Sequence, residues 1–133
     1  MREILSHSPE ETEAVGAELA RVARPGDVIL LQGPLGAGKT TLVRGFLRAL
    51  GFAEPVRSPS FGIMQVYETK PPVLHADLYR LNSADGIGLE DYLDDHVALI
   101  EWPERAPNFF GEATFVEIAF EGEGRRIDIK KAP

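Results

Sequence analysis

The apolar positions of this chain fall into patches with different spacing. Val15, Leu19, Val22 and Ala23 recur at roughly helical intervals, which predicts a helix laying one stripe on the core. Ser8 can cap it, Pro9 suits its first position, Glu11 is the capping-box acid, and Arg24-Pro25-Gly26 ends it. The unbroken run Val28–Leu31 suits a strand covered on both faces. A second helix follows, with Leu42, Val43, Phe46, Leu47 and Leu50 on one face and Gly51 as its stop. Arg44 and Arg48 share another face, open to a phosphate, an acidic partner or water. Phe61 to about Tyr67 reads as a strand, and Lys70-Pro71-Pro72 separates it from a short buried one begun by Val73 and Leu74. His75 and Asp77 alternate onto one face if that strand continues. A short helix at Leu89–Leu93, a strand at Val97–Ile100, and the alternating segment 114–120 complete the pattern. "EGEG" can reverse that last strand into "RRIDI" as a hairpin.

Composition narrows the class. A chain of 133 residues with 44% apolar content is expected to form one domain, residues 1–133, around one core. Fourteen basic against 21 acidic residues give a formal charge of -7, which argues against tight, unaided binding to a nucleic acid backbone. RNA is then expected only indirectly, through a local basic patch or a basic partner. Lys130 and Lys131 make a weak, solvated basic end. The absence of cysteine excludes disulfides, thiolate metal sites and thiol catalysis. No segment approaches the about 18 apolar residues of a membrane helix, and the first 20 residues lack a signal-peptide run, so a cytoplasmic protein with no membrane partner is expected.

The chemistry centres on Gly33-Pro34-Leu35-Gly36-Ala37-Gly38-Lys39-Thr40, an uninterrupted GxxxxGKT motif between a predicted strand and a predicted helix. A loop of this kind wraps backbone amides around phosphate oxygens, which explains glycine at crowded or unusual backbone positions such as 36 and 38. Residues 33–41, Thr41 included, are the expected nucleotide contacts. Lys39 should reach the outer phosphates, and the Thr40 hydroxyl should ligate Mg2+. The expected architecture is therefore α/β: a P-loop nucleotide-binding domain with a predominantly parallel or mixed sheet and a C-terminal antiparallel hairpin.

Two acids and one hydroxyl extend this set. Asp77 ends a predicted strand, where its carboxylate can bind Mg2+ or hold a coordinated water. Glu101 lies directly after another strand and can position water at the terminal phosphate or support the metal shell. Trp102 and Pro103 give it a bulky, stiff neighbour. Ser60, in "RSPSF", can point its hydroxyl into the nucleotide site or simply lie in a strand-leading turn. His75 can orient Asp77 or serve as a hydrogen-bonded core histidine. Tyr79 and Arg80 can seal the loop or meet a partner.

"GPLGAGKTT", "SPSF", "HADLYRL" and "IEWPE" in this order resemble the bacterial TsaE family of P-loop ATPases, over nearly the whole chain. The resemblance implies ATP and Mg2+ as cofactors and a role in making N6-threonylcarbamoyladenosine in tRNA. It also implies a partner-dependent ATPase acting with TsaD and TsaB, where TsaD rather than this chain carries the transfer site. Lys39 and Thr40 match the family's phosphate and magnesium positions, and Asp77 and Glu101 match its two acids. Ser60 stands where the family usually has threonine, and Pro34 where it often has an acid. A small-molecule kinase and a nonenzymatic nucleotide-controlled interaction protein are the alternatives. "NSAD", residues 82–85, is a poor guanine-reading motif because serine stands where lysine belongs.

Overall fold

Residues 28–32 and 97–101 form the middle of the molecule, because their apolar runs can be covered from both sides. In the computed structural model, which describes residues 2–56, 64–81 and 88–131, these are β2 (Val28–Gln32) and β5 (Val97–Glu101), paired in parallel. β4 (Val73–Asp77) lies parallel on the far side of β5, and β6 (Thr114–Glu121) parallel on the far side of β2. The edges are antiparallel: β3 (Met64–Tyr67) on β4, β7 (Gly124–Lys131) on β6, and β1 (Arg2–Ser6) on β7. The sheet order is β1-β7-β6-β2-β5-β4-β3, a mixed sheet with a parallel centre and the expected C-terminal hairpin. That hairpin closes between Glu121 and Gly124, with Gly122 at φ 60 taking a turn position unfavourable to a side chain.

Two helices cover one face. α1 (Pro9–Val22) starts as the sequence suggests, with the Ser8 hydroxyl accepting from the Glu11 amide at 3.1 Å. Glu11 reaches back one residue further than a standard capping box, accepting from the His7 amide at 3.2 Å. α2 (Lys39–Ala49) ends in a paired closure: the Gly51 amide donates to the Arg48 carbonyl and the Phe52 amide to the Leu47 carbonyl, both at 3.0 Å. Gly51, at φ 94, supplies the left-handed residue this stop needs. Leu42, Val43, Phe46 and Leu47 are fully buried against Leu31, Leu99, Val116 and Ile118, each contributing about 1.5–3 kcal/mol of burial. On the other face Leu74, Ala76, Leu78, Leu89, Ala98 and Ile100 form a second core under Phe109, Phe110 and Phe115.

Several details depart from the expectations. Val22 is 74% exposed, and the buried stripe of α1 runs instead through Thr12, Val15, Gly16 and Ala20. The helices touch backbone to backbone: a Cβ on Gly16 would collide with Leu42 and Phe46, and one on Gly45 with Glu13. Arg44 and Arg48 meet an acid of the same chain. Both grip Glu13 of α1, at 2.8 and 2.9 Å. Residues 89–93 make only a 3-10 turn, Leu89–Asp91, with hydrogen-bonded turns after it. β1 has no counterpart in the sequence expectations, since only seven residues with one partial alternation precede the α1 cap. Among the described residues, no helix is long and apolar enough to cross a membrane.

Candidate active site

The loop 33–38 leaves the end of β2 and enters α2, so the carboxyl ends of the parallel strands and a helix start face one place. Three loop glycines have positive φ: Gly33 (154°), Gly36 (79°) and Gly38 (116°). The reasons differ. A Cβ at Gly33 would run into the Ile118 carbonyl, whereas nothing lies within 4 Å of one at Gly36. Gly36 is therefore needed for its backbone conformation and not for space. Gly38 is the N-cap of α2 and offers no side-chain hydrogen bond, and no acid occupies the first turn. The helix start is left with its amides and partial positive charge, the arrangement that receives an anion.

A cavity of about 230 Å³ lies over this loop, lined by Leu35, Gly36, Gly38, Lys39, Thr40, Thr41, Asp77, Glu101 and Trp102. Pro34 and Leu35 are exposed at the loop tip, and Ala37 is buried beneath it. Lys39, Thr40, Asp77 and Glu101, separated by up to 62 positions, thus share one cavity. Asp77 and Glu101 are register partners at the ends of β4 and β5, which explains why two acids after two different strands meet. Ser60 lies outside the described residues.

Lys39 is 4% exposed, donates to the Gly33 carbonyl at 2.6 Å, and holds its ammonium 3.6 Å from the centre of the Trp102 ring. Burial lowers its pKa below the usual 10.5, with Glu101, Glu104 and Asp77 pulling the other way. Trp102 reaches this position from a left-handed backbone, φ 59, a conformation that costs a non-glycine residue about 1–2 kcal/mol. Tyr79 packs on its ring at 4.8 Å, and Pro103 begins the 3-10 turn Pro103–Arg105 behind it. The Thr40 hydroxyl lies 3.2 and 3.4 Å from the two Glu101 carboxylate oxygens. Asp77 accepts from the Tyr79 amide at 3.0 Å. The site can thus offer an anion one ammonium and a helix start, and a cation three oxygen-bearing side chains. Among the described residues, no three His, Asp or Glu side chains converge as a metal cage.

Two contacts of the site lie beyond the sequence expectations. His75 is the hydrogen-bonded core histidine of its two readings, but its partner is Glu101 and not Asp77, with Nε2 standing 2.6 Å from Oε2. Arg125 of β7 donates to the Ala37 carbonyl at 2.9 Å and the Gly36 carbonyl at 3.4 Å, holding the loop from beneath while stacking on Phe120. No local signal marks Arg125, whose partners lie 88 and 89 positions away. A second cavity of about 160 Å³ opens beside Arg125, bounded by residues 6–9, Thr12, Gly36–Gly38, Thr41 and Glu123–Arg125. A third cavity, about 310 Å³, lies at the opposite end of the strands between α1, β2, β6 and β7, away from all of these groups.

The mixed sheet, the central strand and the glycine loop running into a helix define an α/β protein of P-loop-like topology. The fold closely matches the crystal structure of Bacillus subtilis YdiB, with a TM-score of 0.81 at 34% identity over 98% of this chain and 84% of that one. The chain is 43% identical over 98 residues to the tRNA threonylcarbamoyladenosine biosynthesis protein TsaE of Bacillus subtilis (strain 168), a stretch covering 71% of this chain and 62% of that protein. It is 37% identical over 108 residues to the protein of the same name from Aquifex aeolicus (strain VF5), covering 79% of each. Residues 6–128 match the family described as "Threonylcarbamoyl adenosine biosynthesis protein TsaE", and the chain belongs to that family.

Proposed function

We propose that this chain is a Mg2+-dependent ATP-binding and ATP-hydrolysing accessory protein that supports threonylcarbamoyl modification of tRNA adenosine in the cytoplasm, together with TsaD and TsaB. The observation that carries this reading is the convergence of Lys39, Thr40, Asp77 and Glu101 on one cavity at an uncapped helix start. Family membership supplies the biological setting. The amides of residues 33–41 and the Lys39 ammonium would hold the phosphates. A triphosphate brings negative charge to Lys39 and so opposes the effect of burial on its pKa. The nucleoside would extend toward the second cavity, which shares Gly36, Gly38 and Thr41 with the first.

One hydroxyl and two carboxylates suit Mg2+, a hard cation that takes the rest of its shell from water and phosphate. When bound, the ion would neutralise charge on the phosphates. Thr40 can donate its proton to Glu101 and keep its lone pairs for the cation, while Asp77 organises the shell. Glu101 contributes to that shell and is assigned to water positioning. With TsaD and TsaB present, unchanged ATP turnover by a folded Glu101→Gln variant would sink that assignment.

TsaD and TsaB would bring the site near tRNA, which a chain of charge -7 does not bind tightly alone. The deciding experiment combines the protein with TsaD, TsaB, substrate tRNA and threonylcarbamoyl-adenylate, and follows modified adenosine and phosphate over several turnovers. Lys39→Ala should lose the multiple-turnover yield; an undiminished yield would overturn the ATP-dependent role. Phosphate transfer to a small metabolite by the isolated chain would favour the kinase reading, and ATP-switched partner association without phosphate release would favour the nonenzymatic one. The isolated chain should hydrolyse ATP slowly and bind an ATP analogue more tightly than the matching GTP analogue.

A further inference from the structure

We propose that His75 is the positioning residue of Glu101, holding its carboxylate from behind through a proton on Nε2, an assignment whose metal-binding consequence rests on the magnesium-ATP reading above. His75 is completely buried in the middle of β4 and absent from the cavity lining, so it meets neither nucleotide nor cation directly. Its only hydrogen-bond partner among the described residues is Glu101 Oε2, at 2.6 Å. Its other ring nitrogen, Nδ1, is buried with no hydrogen-bond partner among the described residues.

That unpaired nitrogen decides where the proton sits. With the proton on Nδ1, a buried N–H would be left without an acceptor, and the Nε2 lone pair would face a carboxylate oxygen. With the proton on Nε2, the donor is used on Glu101 and only a bare acceptor is left unpaired. Glu101 is itself 3% exposed, so its carboxylate depends on protein donors. Those donors come from two sides. Thr40 on α2 approaches from the loop, and His75 on β4 approaches from within the sheet. The β4 register makes this possible: His75 is paired with Leu99 and Asp77 with Glu101, two residues on along both strands. Asp77 needs no such help from His75, because the Tyr79 amide already holds its Oδ1. His75 therefore restricts the carboxylate from a place the ligands cannot reach.

The first test uses the nucleotide-free protein. Nitrogen-15 NMR of His75 should show a protonated Nε2 and a bare Nδ1; a proton on Nδ1 would overturn the pairing. The second is calorimetry with Mg2+ titrated into protein saturated with a nonhydrolysable ATP analogue, alongside the analogue titrated alone in EDTA. His75→Leu should weaken Mg2+ binding by about 10–100-fold, as loss of an outer-shell partner does, and leave the EDTA affinity unchanged. The amide nitrogen of Gln can reach the place of Nε2, so His75→Gln should recover most of the loss. His75→Leu should add nothing further on a Glu101→Gln background. Normal Mg2+ binding by His75→Leu, an equal loss in EDTA, or failure of folded His75→Gln to recover would each overturn the positioning role. If wild-type protein does not bind the analogue at all, the magnesium-ATP reading fails and takes the metal role with it, while the NMR result still decides the pairing.

Discussion

α1 and α2 lie against each other on the same face of the sheet, yet they begin in opposite ways. α1 starts with a serine cap, a proline, and two acids, Glu10 and Glu11, in its first turn. Every one of those choices satisfies or neutralises a helix start. α2 starts on Gly38 with no side-chain cap and no acid, and its first residue is a buried lysine. A side-chain cap is worth about 1 kcal/mol, so the second helix gives up local stability that the first keeps. The loss is tolerated because Phe46, Leu42 and Leu47 tie α2 into the core, and because α1 lies in backbone contact with it. One helix is built to be stable by itself; the other keeps its amides for an anion.

The comparison can be broken most severely at the shared contact. Gly45→Ala would drive a methyl group into the Glu13 backbone, with no flexible side chain to yield, so a loss of about 3 kcal/mol is expected. Urea denaturation that shifts by less than a third of this would mean the two helices separate easily. The next largest effect comes from giving α2 the acid that α1 has. Thr41→Glu places a carboxylate in the first turn and in the cavity lining. Binding of an ATP analogue should fall by about 100-fold, or about 2.7 kcal/mol, while thermal stability holds or rises. Retained affinity in calorimetry would show that this helix start is not the anion site.

Removing the cap of α1 should cost less. Ser8→Ala deletes the acceptor for the Glu11 amide and should destabilise the fold by about 1 kcal/mol in urea denaturation. An unchanged midpoint would mean that the cap adds nothing to the start of α1. The smallest effect concerns the buried lysine. Its folded-state pKa is below 10.5, so in the window between the two values the unfolded chain binds the extra proton. Stability from this group therefore rises as pH climbs through that window. Denaturation at neutral pH and near 10.5 should show wild type gaining on Lys39→Met; no relative gain would mean that the ammonium is well solvated.

The loop and the two helices were legible because their determinants are local. A cap, a periodic stripe, a glycine stop and an uninterrupted GxxxxGKT each act within about one or two helical turns. The same holds for the hairpin, where Gly122 and a two-residue turn connect strands adjacent in sequence. Val22 misled because helical spacing identifies a stripe but not its centre, and the closest approach to α2 runs through Gly16 instead. Glycine carries no hydropathy signal, so this contact was invisible. The choice among phosphate, acidic partner and water for Arg44 and Arg48 stays open in the sequence because Glu13 lies 31 and 35 positions away.

By itself, then, the sequence determined that a phosphate-type loop joins a buried strand to an amphipathic helix, and that Asp77 and Glu101 stand at strand ends. Only the tertiary structure decided which strands are neighbours. β4 beside β5, in the register that pairs Asp77 with Glu101, brings the acids together and turns His75 toward Glu101. β7 beyond β6 sends Arg125 under the loop. Register and strand order arise from hydrogen bonds and packing between segments far apart along the chain, and side chains on separate strands meet only once those choices are made.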